Sequence, residues 1–546
     1  MKEKIEKLKN IIQAEGIIFS NQQKIIGPSG NEESWIFDLR NVFLKPEALE
    51  LIADVFWKIF KDKYPFQVGG QEISAIPLIS AIILKSQQEK MPISGFIIRK
   101  SRKPHGLQKI IEGQVTDEKI ILVDDLINGG RALDKQAKIL ADIGKKADAL
   151  FTLINFRGME NIDRLKKNHM ELTSLFTLDD FDLLLERSNI KIFKRPFREM
   201  WRFNGPEPCY FHRVPKSTPC LDGDKIFFGA DDGFFYALRQ ADGMESWKFK
   251  VGYSANGKSI FSSPAIYEDT VYFGSYDGNV YALNKDSGKL KWKYMDADYI
   301  GSSPALAPDL GMLFIGLEFG LFAKKGGIAA LDLKNGKKIW THIVQNYIHC
   351  SPAYCPERKF VAISCNDSFT YLFDAKNGKL RWKFQAGGPT KASLVFDLKR
   401  NLLIFGSFDK NLYALDISTG KIRGKFEVSE AINSTPKIQG DDVYFTSLDK
   451  NIYSINLETG KLNWRFLTGG RVFSSPEIIE NRLVVGSNDG GVYELNMQSG
   501  QLESYFQTTE RITNKIVYNP ETKRYFVLTY ANEIYCLTKN ADDKTD

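Results

Sequence analysis

The chain has 546 residues, more than one hydrophobic core organises, so two or more domains are expected. Its formal net charge is +7, from 74 basic and 67 acidic residues; that excess is too small for this length to indicate nucleic acid, and no basic helix or tail stands out. Six cysteines (Cys209, Cys220, Cys350, Cys355, Cys365 and Cys536) fall in no paired metal spacing and five histidines offer few co-ligands, so the thiols read as small buried residues in a reducing compartment and no metal held by protein side chains is expected.

Along the chain, Ile5, Leu8, Ile11 and Ile12 first mark one face of an N-terminal helix. Charges interrupt it throughout, so it lacks the apolar run of a signal peptide, and no later segment has the apolar length of a membrane span. A soluble, cytoplasmic protein with no membrane partner is the expectation. Helices follow at Leu49–Phe60 and Leu133–Ile143, the latter stopped by Gly144. Between and after them come apolar, β-branched runs at Ile93–Ile98, Ile120–Val123 and Ala149–Ile154, which read as buried parallel strands. This alternation up to about residue 190 is that of an α/β parallel-sheet domain.

The chemistry of this first region is concentrated in residues 95–132. A cationic loop with Arg99, Lys100, Arg102, Lys103 and His105 precedes the strand Ile120–Val123, which runs into Asp124 and Asp125. Open α/β sheets hold their ligands at the carboxyl ends of strands, and adjacent carboxylates there can accept the neighbouring hydroxyls of a ribose. The turn Asn128-Gly129-Gly130-Arg131 lets backbone N–H groups approach a phosphate at the start of the next helix. Positive charge from the loop would stabilise a departing pyrophosphate. Lys100 and Arg102 could equally be solvated loop charges and His105 an ordinary turn histidine, whereas two adjacent carboxylates repel each other unless a ligand uses them.

From about residue 200 a repeat appears, clearest in SSPAIYEDTVYFGSYDGNVYALNKDSGKLKWKY (262–294). Seven copies span 217–506, each with four short β-rich runs separated by Asp-Gly, Asn-Gly or similar turns, the texture of a propeller blade. Trp247, Trp292, Trp340, Trp382 and Trp464 recur at one place per copy and read as packing between blades; Gly424 and Ser504 replace them in copies five and seven. An eighth copy begins at Asn514 and ends before its Trp strand. The segment 198–205 resembles 462–469, so it is expected to complete blade eight and close the ring, removing an exposed sheet edge.

Four segments of the first region, in order, are SWIFDLR (34–40), VGGQEISAIPL (68–78), RKSRKPHG (99–106) with IEG (111–113), and ILVDDLINGGRA (121–132). On these residues the region resembles the type I phosphoribosyltransferases, and within them the orotate enzymes. The resemblance implies a homodimer through this domain, and a reaction in which a nitrogenous base, orotate or a relative, displaces pyrophosphate from phosphoribosyl pyrophosphate, with Mg2+ bound through the diphosphate. It assigns catalysis to Lys103, Arg99, Lys100 and His105. Substrate binding falls to Asp124, Asp125, Asn128, Gly129, Gly130, Arg131, Ala132, Gly70 and Gln71, with Arg157 standing in, one residue displaced, for a family arginine that recognises the base. The family usually has Thr at the place of Asn128 and Thr or Gly at that of Arg131.

The repeats resemble the propellers of pyrroloquinoline quinone-dependent dehydrogenases and of the outer-membrane assembly lipoprotein. The resemblance implies eight blades; no quinone is expected, because the adjacent cysteine pair of the dehydrogenases is lacking. The expected organisation is a phosphoribosyltransferase-like domain over 1–195, an eight-bladed all-β propeller over 196–540 that binds an unknown protein partner, and a disordered tail over 541–546. The alternative is a sensor of phosphoribosyl pyrophosphate or nucleotide, weakly catalytic or inert, with the propeller as scaffold.

Overall fold

A computed structural model describes residues 1–19, 35–99, 109–127, 131–156, 170–181, 197–206, 217–252, 260–320 and 324–539; the expected tail lies outside them. The chain divides into two compact units, residues 1–191 and 192–546.

In the first unit, helix α1 (Lys2–Glu15) buries Leu8 and Ile12, and strands β1 (Ile17–Phe19) and β2 (Trp35–Phe37) pair antiparallel after it. Helix α2 (Pro46–Phe60) starts on a proline, whose missing N–H costs nothing in a first turn, and buries Ile52, Phe56 and Phe60 at helical spacing. Then come β3 (Phe66–Gln71), α3 (Ala75–Gln88), β4 (Gly95–Ile98), β5 (Ile111–Glu112), β6 (Lys119–Ile127), α4 (Arg131–Asp142), β7 (Ala149–Asn155) and β8 (Glu171–Thr177). The six-stranded sheet has the order β5-β4-β3-β6-β7-β8, parallel except for β5.

Both faces of this sheet are covered. Ile121 and Val123 of β6 join the core with Ile52, Phe56, Ile79 and Ile82 of α2 and α3. Their neighbours Ile120 and Leu122 join a second core with Leu133, Ile139 and Leu140 of α4. That is why β6 reads as uninterrupted apolar sequence instead of alternating. From β3 the chain moves to β4 on one side, then returns to β6 on the other, so the order reverses between β3 and β6. Such a switch point leaves a crevice beyond the strand ends.

One boundary differs from expectation in a way that matters. The strand expected to stop at Val123 continues to Ile127, because β7 keeps pairing with it through Leu126 with Ile154 and Ile127 with Asn155. On its other edge, pairing with β3 ends at Gly69 with Leu122. Asp124 and Asp125 therefore sit on backbone held from one side and open on the other. Strand β3 and helix α3 carry too few distinctive turn signals on their own to be read from periodicity.

The second unit is an eight-bladed propeller. Seven four-stranded antiparallel sheets follow in sequence between Cys220 and Gln507. The eighth combines Val517–Asn519, Arg524–Leu528 and Glu533–Lys539 with β9 (Phe197–Asn204), paired from Glu533 with Asn204 to Lys539 with Phe197. In six blades a tryptophan N–H on the outer strand donates to a carbonyl of the next blade: Trp201 to Gln240, Trp247 to Lys285, Trp292 to Leu333, Trp340 to Ala375, Trp382 to Ile417 and Trp464 to Met497. Each ring also covers a turn glycine of that blade; a Cβ on Gly243, for instance, would lie 2.5 Å from Trp201. Where Gly424 replaces the tryptophan, Gly460 in the next blade has nothing above it.

Candidate active site at the sheet switch point

Close packing brings β3 and β6 together just below the crevice. A Cβ on Gly70 would fall 2.4 Å from the Val123 carbonyl oxygen and 2.5 Å from the Ala75 Cβ, so only glycine allows the end of β3 to lie against β6 and the start of α3. Gln71, half-buried, ends β3, and the turn Glu72–Ser74 leads into α3. There the Ser74 hydroxyl donates to Asp124 Oδ1 at 3.2 Å. The same oxygen accepts the Asp125 N–H at 2.9 Å, and Asp125 Oδ1 accepts the Leu126 N–H at 2.9 Å. Each carboxylate is thus oriented through one oxygen by local backbone.

Burial, and then the charge and contact of Asp125, push the Asp124 carboxyl well above the usual carboxylate range. A carboxyl held in this condition is relieved by a ligand that donates to it or brings positive charge. Two oriented acceptors on consecutive residues fit the vicinal hydroxyls of a sugar, and hard oxygen donors of this kind also suit Mg2+. Among the described residues no three His, Cys, Asp or Glu side chains gather as a metal cage.

Around this pair, Arg99 follows β4 with its guanidinium 3.5 Å from Glu72 and 3.8 Å from Glu112, and its N–H donates to the Ile110 carbonyl. Arg40 forms a bidentate pair with Asp38, at 2.7 and 2.6 Å, and that contact, with a smaller contribution from the charge of Asp125, raises the guanidinium pKa. Arg131 opens α4 and Ala132 is exposed in its first turn, where helix N–H groups are available to an anion. The remaining expected site residues (Lys100, Lys103, His105, Asn128, Gly129, Gly130 and Arg157) lie outside the described residues. Ser74, Glu72 and Arg40 were not singled out from sequence, although Ser74 and Glu72 fall within 68–78 and Arg40 ends 34–40.

Curated relatives match this unit. The orotate phosphoribosyltransferase of Bradyrhizobium sp. (strain ORS 278) is 31% identical over 132 residues, covering 23% of this chain and 71% of that protein. That of Pyrococcus abyssi is 31% identical over 173 residues, covering 30% of this chain and 87% of that protein. The chain belongs to the orotate phosphoribosyltransferase family. Its membership rests on the first unit; the propeller has other likenesses. Residues 320–545 match the family described as "Beta-alanine-activating enzyme, beta-propeller", and residues 187–347 that described as "Outer membrane protein assembly factor BamB". Among solved structures, BamB from Moraxella catarrhalis aligns with a TM-score of 0.51 at 17% identity, over 63% of this chain and 97% of that one, which is a likeness of fold. No helix among the described residues is long and apolar enough to cross a membrane.

Proposed function

We propose that the first unit is a phosphoribosyltransferase that joins a nitrogenous base, orotate or a relative, to phosphoribosyl pyrophosphate and releases pyrophosphate. The observation that carries this reading is the Asp124–Asp125 pair, oriented by Ser74 and local backbone and open on the β3 side of the switch point. Asp124 and Asp125 accept the ribose hydroxyls, and residues 128–130 with the start of α4 receive the 5′-phosphate. Mg2+ bound through the substrate's diphosphate would supply charge neutralisation at the leaving group. Lys103, Lys100, Arg99 and His105 supply positive charge as pyrophosphate departs, and recognition of the base falls to Arg157. The unit works as a homodimer; Ile73, Ile76 and Leu84 on and before α3 are 67%, 40% and 73% exposed, an apolar stripe suited to a second copy. The propeller serves as a platform for a protein partner.

A second reading, binding without turnover, draws on Arg131, which stands where the family usually has a small or hydroxyl side chain. One assay separates them: pyrophosphate release from phosphoribosyl pyrophosphate with Mg2+ across a panel of bases. Release with one base supports the enzyme. Binding of phosphoribosyl pyrophosphate without release for any base supports the sensor.

A further inference from the structure

The propeller encloses an axial channel of about 1200 Å3. The inner strands of its blades are entered through a short repeated triplet, as in Ser262-Ser263-Pro264 and Ser302-Ser303-Pro304, and the middle residue lines the channel. Five of these middle serines accept a backbone N–H from the blade before: Ser263 from Thr218 at 2.8 Å, Ser303 from Ser263 at 2.8 Å, Ser351 from Ser303 at 3.0 Å, Ser393 from Ser351 at 3.3 Å, and Ser475 from Thr435 at 2.9 Å. Accepting that bond leaves each hydroxyl its own O–H, and none of the five donates it to a described residue. Strand-to-strand stitching has therefore put five O–H donors on one axis.

Lys391, two residues before Ser393, lines the same channel with its ammonium 4.9 Å from the Phe408 ring centroid. It has no ion-pair partner among the described residues, whereas the other two channel lysines, Lys437 and Lys515, both reach Glu477. Burial lowers the Lys391 pKa, with the more distant Glu318 acting against that shift. Glu318 is buried and already engaged, by His349 Nδ1 at 3.3 Å and the Gly301 N–H at 3.3 Å. The channel thus holds one desolvated, uncompensated cation beside a ring of free donors.

We propose that this channel is a binding site for a small tetrahedral oxyanion, phosphate or a phosphate monoester, with Lys391 as counter-charge and the hydroxyls of Ser263, Ser303, Ser351, Ser393 and Ser475 as donors. Donors arriving from five blades around an axis match oxygens that point in several directions; a carboxylate, with two oxygens in one plane, meets fewer of them. Phe261, Tyr276 and Phe408 leave apolar walls for an organic remainder. The site is independent of the reaction proposed for the first unit.

The test titrates the full chain and its Lys391 variants calorimetrically with inorganic phosphate at ionic strength held constant with sodium chloride; phosphate taken up by the first unit is common to all of them, so the Lys391-dependent part reports the channel. Saturable binding is expected. Lys391→Met should weaken it at least about tenfold and Lys391→Arg should largely preserve it, since a charge-assisted bond contributes about 1.5–3 kcal/mol. Both variants keep a long side chain against Phe408, so melting of each is measured alongside to confirm that the fold is retained. A nucleoside monophosphate whose Lys391-dependent binding is tighter than that of phosphate would assign the ligand to phosphate esters; equal affinity would assign it to free phosphate. No saturable binding, or equal affinity in the Lys391→Met variant, overturns the proposal.

Discussion

Replacing Trp201 with alanine tests how the ring is closed. Trp201 lies on β9, far in sequence from the strand Glu533–Lys539 that it pairs with, and it makes the contact with the next blade that five other tryptophans make from theirs. Its N–H donates to the Gln240 carbonyl at 3.1 Å, and its ring covers Gly243 and lies 6.0 Å from the Phe526 ring. Full burial would put the loss at roughly 3–5 kcal/mol; the ring is half-buried, which brings the packing part to about 2 kcal/mol, and the lost hydrogen bond adds about 1 kcal/mol. At about 2.1 cal/mol/K per residue over residues 192–546, a loss of ~3 kcal/mol lowers the melting temperature by roughly 4 °C if the unit unfolds as one. Trp201→Phe keeps most of the packing and should lose about a third of that. Calorimetry of the full chain measures the shift, and hydrogen exchange of residues 533–539 locates it, with faster exchange expected there than in blade four. An alanine variant with wild-type melting and unchanged exchange at 533–539 would refute the view that β9 locks the ring through this side chain.

Two further perturbations follow from the same geometry. Asp124 titrates higher in the folded chain than in the unfolded one, so its contribution is most favourable below the unfolded pKa of about 3.9 and is lost as pH rises through the folded value. Asp124→Asn should therefore raise the melting temperature of the first unit at pH 7 and scarcely change it at pH 4, while affinity for phosphoribosyl pyrophosphate falls by more than about tenfold; stability gained equally at both pH values, or affinity retained in calorimetry, would remove the strained-carboxylate account. Gly424→Trp should supply the ring that blade five lacks over Gly460, raising the propeller's melting temperature in a calorimetric scan, with Gly424→Ala as the control for strand propensity alone.

Periodicity and local turn chemistry carried much of this protein. Apolar runs marked β4, β6 and β7, and the recurring tryptophan and turn residues marked seven blades, because each of those signals is repeated or confined to a few adjacent residues. The likeness of 198–205 to 462–469 pointed to the strand that pairs with Glu533–Lys539, since a blade position imposes the same alternation wherever its strand lies in the chain. Asp124 and Asp125 stood out as carboxylates after a buried run.

Other features exist only in three dimensions. That β6 continues past its carboxylates depends on β7 extending to Asn155, and the crevice depends on β3 leaving the pair at Gly69. The Ser74 contact with Asp124 joins residues 50 positions apart, and nothing in the sequence near either one announces it. The axial serines are ordinary turn-flanking residues when read singly; their hydroxyls become a set because the blades are arranged around one axis. Local sequence encodes which residues form strands and turns. The raised pKa of Asp124 and the lowered pKa of Lys391 are decided by what desolvates them, and that is set by neighbours brought from distant parts of the chain.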